Sequence, residues 1–173
     1  MKIIRLTTLL DFGGQERQYI SFVEDRMSDI ENEYIFAAIG HGGYAENYIR
    51  EKGFKVKIFN SKPNISNIIN IWILYKWFLE TKPDIVHTAA AEANFHGVIA
   101  AKLARIKVVI AEEIGMPNHS NKAKLIFLKK LPSSPYFLNS RVRARRNPPT
   151  CVPPSRVLML LTNEIRFSEY EVL

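Results

Sequence analysis

The sequence predicts an α/β protein built on a doubly wound parallel sheet, because strand-like and helix-like segments alternate five times in residues 1–130. This alternation is typical of a parallel sheet with helices on both faces. Right-handed crossovers favour the strand order 3-2-1-4-5 for an open sheet of this kind. Glycine-containing turns at 11–14 and 40–43 mark the ends of the first two strands.

Residues 1–59 contain three predicted strands and two predicted helices. Short apolar runs without a helical period predict strands at 2–9, 34–39 and 54–59. The helix predicted over 15–30 rests on four apolar residues at four- and three-residue steps, Tyr19, Val23, Met27 and Ile30. A shorter helix is predicted over 44–52, where Gly53 provides the C-terminal stop.

Residues 60–130 continue the alternation. The helix predicted over 65–81 is apolar nearly all round, so we expect it to be deeply packed or to serve as a contact surface. The helix predicted over 92–105 has an apolar side formed by Phe95, Val98, Ile99 and Leu103. The remaining predicted elements are strands at 84–88 and 107–111 and a helix at 121–130.

The composition changes abruptly after residue 130. All thirteen lysines lie at or before Lys130, whereas six of the nine prolines lie after it. We therefore divide the chain into a domain at 1–130 and an irregular, Pro/Arg-rich tail at 131–173. Three interpretations of the tail stay open. It is poorly ordered, it folds only on a partner, or it is not the natural continuation of the domain. Its last part, 155–173, regains apolar residues and predicts one strand or helix.

The overall composition excludes several classes of protein. With 47% hydrophobic and 24% charged residues, the chain is neither disordered throughout nor fibrous. Cys151 is the single cysteine, so no internal disulfide forms. The longest apolar stretch, 65–79, is too short and too polar to span a bilayer. We expect a cytoplasmic location, and peripheral contact with the inner face of the membrane stays open.

The formal net charge of +7 raises the hypothesis of nucleic-acid binding. The basic residues are scattered through a mixed background, and only the segment 141–146 is dense. A scattered excess of this kind is more typical of a solvated surface, so we expect no nucleic-acid partner.

The candidate site lies where open α/β sheets bind ligands, outside the carboxyl ends of strands 1 and 4. Gly13 and Gly14 follow the first strand, where glycines allow close approach of a ligand and the next helix offers free N–H groups to a phosphate. The alternative is a tight turn in which Glu16 favours the start of the helix. The histidines and the cysteine show no zinc-ligand spacing, so we expect no metal. The sequence also contains no serine nucleophile turn.

Polar residues also follow strands 4 and 5. His87 ends strand 4, and Glu92 and Asn94 share the loop that follows; the alternative for His87 is a buried, hydrogen-bonded side chain. Glu112 and Glu113 follow strand 5, where paired carboxylates bind hydroxyls or act as a base, unless they are simply solvated. His96, one turn after Glu92, is expected to be solvated or to cap its helix.

Four segments occur together in a characteristic order. Residues 13–17 read GGQER, 82–88 read KPDIVHT, 97–104 read GVIAAKLA, and 107–115 form a strand and turn. In this order they resemble the GGxE loop, the PDIVHTH strand end, the GxxAAxLA helix and the TEHG-like turn of GT-B glycosyltransferases of the family-four type. The resemblance covers residues 1–130 and implies the Rossmann-like N-terminal, acceptor-side domain of that family.

The resemblance implies a retaining enzyme that transfers a sugar from a nucleotide-sugar donor to a polysaccharide or glycolipid acceptor, without a cofactor. A C-terminal half carrying an ExxxxxxxE motif would bind the donor, and the tail contains no such spacing. We therefore expect a chain truncated before its donor domain and nearly inactive alone. The alternative is a stand-alone, non-catalytic module that binds a partner chain supplying that domain.

The resemblance also implies roles for individual residues. Contacts to the donor diphosphate or the acceptor fall on Gly13, Gly14, Gln15, Glu16 and Arg17. Acceptor contacts fall on His87, Glu92, Asn94 and Glu113, of which His87 and Glu113 are the candidates for catalysis. Ala89 replaces the second histidine of the family's HTH, and Ile114 replaces the histidine of its turn, so the catalytic residue stays open.

Overall fold

The computed structural model describes residues 1–27, 29 and 31–113, together with the backbone of 156–161. Strands and helices alternate along the described chain. Their order is β1 (Lys2–Thr7), α1 (Gly14–Arg26), β2 (Glu33–Ala38), α2 (Tyr44–Glu51), β3 (Lys55–Ile58), α3 (Ile69–Thr81), β4 (Ile85–Ala89), α4 (Ala91–Leu103), β5 (Val108–Glu113) and β6 (Arg156–Leu161).

The strands form one sheet in the order β3-β2-β1-β4-β5-β6. The first five are parallel, and their order confirms the predicted 3-2-1-4-5. β6 pairs antiparallel with β5, so the segment predicted as one strand or helix contains a strand, and the tail is not irregular throughout. The helix predicted at 121–130 and most of the predicted tail lie outside the described residues.

The sheet separates two apolar cores. On one face, α1 and α2 cover an aromatic core that includes Tyr19, Tyr34 and Phe36. On the other face, α3 and α4 cover an aliphatic core that includes Leu6, Leu74 and Val98. Helices on both faces are what the buried, mostly apolar strands require.

Only part of the predicted apolar side of α4 is buried: Val98 is in the core, but Leu103 is not. Leu103 is 59% exposed, whereas the small residues Ala93, Gly97, Ala100 and Ala101 are buried. A Cβ atom on Gly97 would lie 2.6 Å from Thr88 Cγ2 and 2.7 Å from Leu6 Cδ2. α4 therefore packs so close to β1 and β4 that only small side chains fit between them.

Two predicted helix boundaries also differ. α1 ends at Arg26, and Met27 is 57% exposed rather than part of the packed face; Ile30 lies outside the described residues. α3 begins at Ile69 instead of 65. The preceding turn is held by side-chain hydrogen bonds, including Asn67 Nδ2 to the Lys62 carbonyl at 3.2 Å. Asparagine and serine side chains of this kind compete with helix formation.

Part of α3 faces away from the core. Ile68 precedes the helix, and it is exposed together with Ile69, Trp72 and Leu79. Within the described residues, no helix is long and apolar enough to cross a membrane.

Candidate functional site

Polar side chains of β1, β4 and β5 meet on the α1 side of the sheet. Arg5 and His87 are directly opposite each other in the pairing of β1 with β4. Glu112 of β5 places its Oε2 atom 3.3 Å from Nε2 of His87. The Arg5 guanidinium lies over the rings of Tyr19 and Phe22, 4.6 Å and 4.1 Å from their centroids. The predicted candidate His87 thus belongs to a buried polar cluster at the switch point of the sheet.

The polar cluster, defined as Arg5, Gln15, Tyr19, His87 and Glu112, is incompletely hydrogen-bonded. Four of its buried polar atoms have no well-aligned hydrogen bond within the described residues: Arg5 Nε, Gln15 Nε2, Tyr19 Oη and His87 Nε2. Burial raises the pKa of the Tyr19 hydroxyl to about 12, although Arg5 opposes this rise. Tyr19 nevertheless contacts Arg5 and Gln15, and His87 contacts Glu112, so the members of the cluster pair loosely with one another.

Burial favours the neutral form of the His87 imidazole. Burial lowers its pKa below 6.5, and the positive charge of Arg5 adds to this, while the Glu112 carboxylate opposes it. A neutral imidazole beside a carboxylate can accept a proton from a hydroxyl. The cluster therefore has the chemistry of a base or of a hydroxyl-binding group.

Acidification from pH 7.5 to 5.5 is expected to destabilise the fold. Burial lowers the pKa of both His87 and His96 below the unfolded value of 6.5, so in this window the unfolded chain binds more protons. Each histidine contributes a slope of up to about 1.4 kcal/mol per pH unit. Urea unfolding across this range measures the slope. The slope should be smaller in His87→Gln and in His96→Gln than in the wild type.

A second polar group, on the α4 side, is fully satisfied. Asn94 Nδ2 donates to the Glu112 carbonyl at 2.9 Å, and Asn94 Oδ1 accepts from Thr88 Oγ1 at 2.8 Å. Both bonds are buried. The Asn94 side chain therefore links α4 to the ends of β4 and β5, and its contact with an acceptor stays a prediction.

The junction of β4 and α4 is strained at Ala90. Its φ of 76° and ψ of 154° lie in a region that is open to glycine and costly for other residues. The strained residue lies at the carboxyl edge of the sheet, next to Glu92, whose carboxylate accepts from Thr8 Oγ1 at 3.4 Å. Strain of this kind concentrates at ligand sites.

Replacing Ala90 with glycine is expected to raise the free energy of unfolding by about 1 kcal/mol. Relief of strain contributes about 1–3 kcal/mol, and the greater entropy of unfolded glycine offsets part of it. Urea denaturation measures the change. Ala93→Gly in the body of α4 is the control, and it should destabilise; a loss of stability in Ala90→Gly would contradict the strain.

The Gly13 loop, which is predicted to contact a donor diphosphate or an acceptor, has a carboxylate beside it. The Glu16 carboxylate occupies the place that a Cβ on Gly13 would take, whereas nothing lies within 4 Å of a Cβ on Gly14. Asp11 and Glu16 line one surface cleft beside this loop. An incoming phosphate would therefore meet like charge at the α1 N-terminus unless Glu16 moves away. Gln15 points into the polar cluster instead, and Arg17 lies 6.0 Å above the Phe12 ring.

The remaining candidates are His96, Glu113 and a possible metal site. His96 is fully buried rather than solvated, and its Nε2 lies 3.0 Å from the Asn64 carbonyl. The backbone of Glu113 is in β5, but its side chain lies outside the described residues. Among the described residues, no group of three or more acidic, histidine or cysteine side chains is placed to hold a metal.

The charge of the described part bears on the nucleic-acid hypothesis. Residues 1–113 carry fourteen basic and fourteen acidic side chains, so the formal +7 lies in residues 114–173. The described domain therefore has no net positive charge to offer a phosphate backbone.

Sequence reasoning missed Arg5 and Tyr19, and it chose Glu113 over Glu112. A charged residue inside a buried apolar strand, as Arg5 is, was the available indication. The alternation of side chains along β5 was a second indication. Ile110 pairs with His87, and Glu112, two residues later, lies on the same face of the sheet.

The comparisons with known proteins concern the fold. No protein-family model and no curated protein matches the chain. The lipopolysaccharide outer core galactosyltransferase WaaB, in its apo form, is 21% identical over 61% of this chain, with a TM-score of 0.46. A UDP-N-acetylglucosamine 2-epimerase is 17% identical over 76% of this chain, with a TM-score of 0.49. The chain covers 31% and 37% of these two proteins, about a third of each.

Proposed function

We propose that this chain is the acceptor-side half of a retaining glycosyltransferase, which transfers a sugar from a nucleotide-sugar to a polysaccharide or glycolipid. The observation that carries the proposal is the pairing of His87 with Glu112 at the switch point of the sheet, while Glu92 binds Thr8 at the same carboxyl edge. The same elements hold the family-like motifs at 13–17, 82–88 and 97–104. Carboxylates and a neutral imidazole suit recognition of acceptor hydroxyls.

In the proposed mechanism, acceptor binding and donor binding belong to different halves of the enzyme. This half would orient an acceptor hydroxyl, while a donor-binding domain would hold the nucleoside diphosphate and stabilise it as it leaves. Stabilising the transition state requires contacts from both halves of the enzyme. The purified 173-residue chain should therefore bind acceptor saccharides and transfer little sugar. Robust transfer from a nucleotide-sugar by this chain alone, measured with a radiolabelled donor, would overturn the division into halves.

The coding DNA provides a second test. Reading all three frames downstream of codon 131 should reveal a second strand–helix series with an ExxxxxxxE motif, either in another frame or after this one. An intact frame followed by no such region would favour the alternative of a stand-alone module.

The exposed side of α3 favours that alternative as a second candidate. Ile68, Ile69, Trp72 and Leu79 present apolar side chains to solvent, as an interaction surface does. A module of this kind would co-purify with a chain that supplies the donor domain, and Trp72→Glu would break the complex. A clean monomer with no partner would count against it.

A further inference from the structure

A cleft of about 260 Å³ lies between the N-terminal ends of α1 and α2. We call it the Phe12 cleft; the residues used below are Asp11, Phe12, Glu16, Arg17 and Tyr44. It is at the carboxyl edge of the sheet but lies on the β1–β2 side of the polar cluster. Its side chains do not take part in the contacts between His87 and Glu112 described above.

Two aromatic rings form an exposed wall of the cleft. Phe12 is 75% exposed and Tyr44 is 58% exposed. Their rings meet edge to face with centroids 6.2 Å apart, and the Tyr48 ring stacks on Tyr44 at 6.5 Å. Large apolar side chains gathered at a solvent-facing cleft mark a surface that binds something with an apolar face.

The polar groups of the cleft include both acceptors and a donor. Asp11 and Glu16 supply carboxylates, and Arg17 supplies a guanidinium. The two carboxylates outnumber the Arg17 guanidinium, although His41 Nε2 lies 3.7 Å from Asp11 Oδ2. The carboxylates therefore disfavour a phosphate, while a hydroxyl group could donate to them. A ligand with several hydroxyls and an apolar ring face satisfies all of these groups.

The cleft is held in shape before any ligand arrives. The Leu10 carbonyl accepts from the amides of Gly43 and Glu46 at 2.9 Å and 3.1 Å. The Asp11 carboxylate accepts from the Tyr44 amide at 3.3 Å, and the Asp11 carbonyl accepts from Ala45 at 3.0 Å. The β1–α1 loop thus caps α2 and fixes Phe12 relative to Tyr44, which lowers the entropic cost of binding.

We propose that the Phe12 cleft is a subsite for one ring of a neutral saccharide, packed against the wall formed by Phe12 and Tyr44 and hydrogen-bonded to Asp11, Glu16 and Arg17. The proposal rests on the proposed function and deepens it, because it assigns the Gly13 loop to the acceptor rather than to the donor diphosphate. An acceptor chain would then extend from this subsite along the carboxyl edge toward His87.

The test is a titration of the full chain with four neutral disaccharides: maltose, cellobiose, lactose and N,N′-diacetylchitobiose. Saturation-transfer NMR detects the bound sugar and competition gives its affinity. At least one should bind, and Phe12→Ala or Tyr44→Ala should weaken it about tenfold, the scale of a lost aromatic contact. Met27→Ala is the control, since that apolar side chain is 57% exposed just after the C-terminal end of α1 and should leave the affinity unchanged.

Three results would overturn the subsite. Equal affinity in the wild type and both cleft variants would place the saccharide elsewhere and leave the proposed function standing. Binding of inorganic phosphate at the cleft, detected by Gly13–Arg17 amide shifts, without disaccharide binding would assign the loop to the donor. No binding of any of the four disaccharides would remove the subsite and count against the acceptor role. Melting temperatures of both variants near that of the wild type confirm that they fold, because both rings are exposed.

Discussion

Gly97→Val is expected to lower the free energy of unfolding by about 3 kcal/mol. The added Cβ would lie 2.6 Å from Thr88 Cγ2 and 2.7 Å from Leu6 Cδ2, and both side chains are fully buried. Neither can move aside without disturbing β4 or β1, so α4 must lift from the sheet. Overpacking of this kind costs about 1–3 kcal/mol, and the two branching methyls place valine at the upper end.

Gly14→Ala is the matched control for that prediction. Gly14 also lies in a helix, but nothing lies within 4 Å of its added Cβ. It should leave stability unchanged or raise it by up to about 1 kcal/mol, since alanine favours the helix. Urea denaturation followed by circular dichroism compares the two variants. A Gly97→Val chain as stable as Gly14→Ala would show that α4 does not pack this closely.

Asn94→Ala is expected to destabilise the fold by about 3 kcal/mol. It removes two buried hydrogen bonds, to Thr88 and to the Glu112 carbonyl, and leaves that carbonyl without this donor. A buried group that loses its partner costs about 1–3 kcal/mol. Because Asn94 joins α4 to the ends of β4 and β5, the loss should also loosen the edge that carries the candidate site.

Asn47→Ala tests whether the Asn94 effect is specific. Asn47 is exposed on α2, so its removal should change stability by no more than about 0.5 kcal/mol. Hydrogen exchange of the β4 and β5 amides should accelerate in Asn94→Ala and not in Asn47→Ala. Equal stability of the two variants would contradict the linking role of Asn94.

The sheet was predictable from the sequence because strand-like and helix-like segments alternate regularly along the chain. Five apolar runs alternating with helical segments fixed both the parallel pairing and the order 3-2-1-4-5. The face of α4 was not predictable in this way. Large apolar residues such as Leu103 suggest the buried side, but Gly97 sets how closely the helix approaches the sheet, and that distance selects the small residues.

The candidate site was predictable in part. His87 is at the strand end where the topology places ligand-binding groups, and the structure brings it to Glu112. The predicted strand ended at 111, which left both glutamates in a loop. β5 in fact continues to Glu113, so alternation sends Glu112 to the face of His87. Arg5 and Tyr19 were missed because their role depends on contacts between β1 and α1, which no local pattern records.

The most direct test of the acceptor-half claim is where saccharides and nucleotide-sugars bind on the ¹⁵N-labelled full chain. The account predicts saturable shifts from acceptor saccharides at the amides of Thr8–Arg17 and His87–Glu92, and far weaker effects from a nucleotide-sugar alone. Binding of the nucleotide-sugar at these amides with no response to any saccharide would contradict it, and the acceptor role would have to be withdrawn.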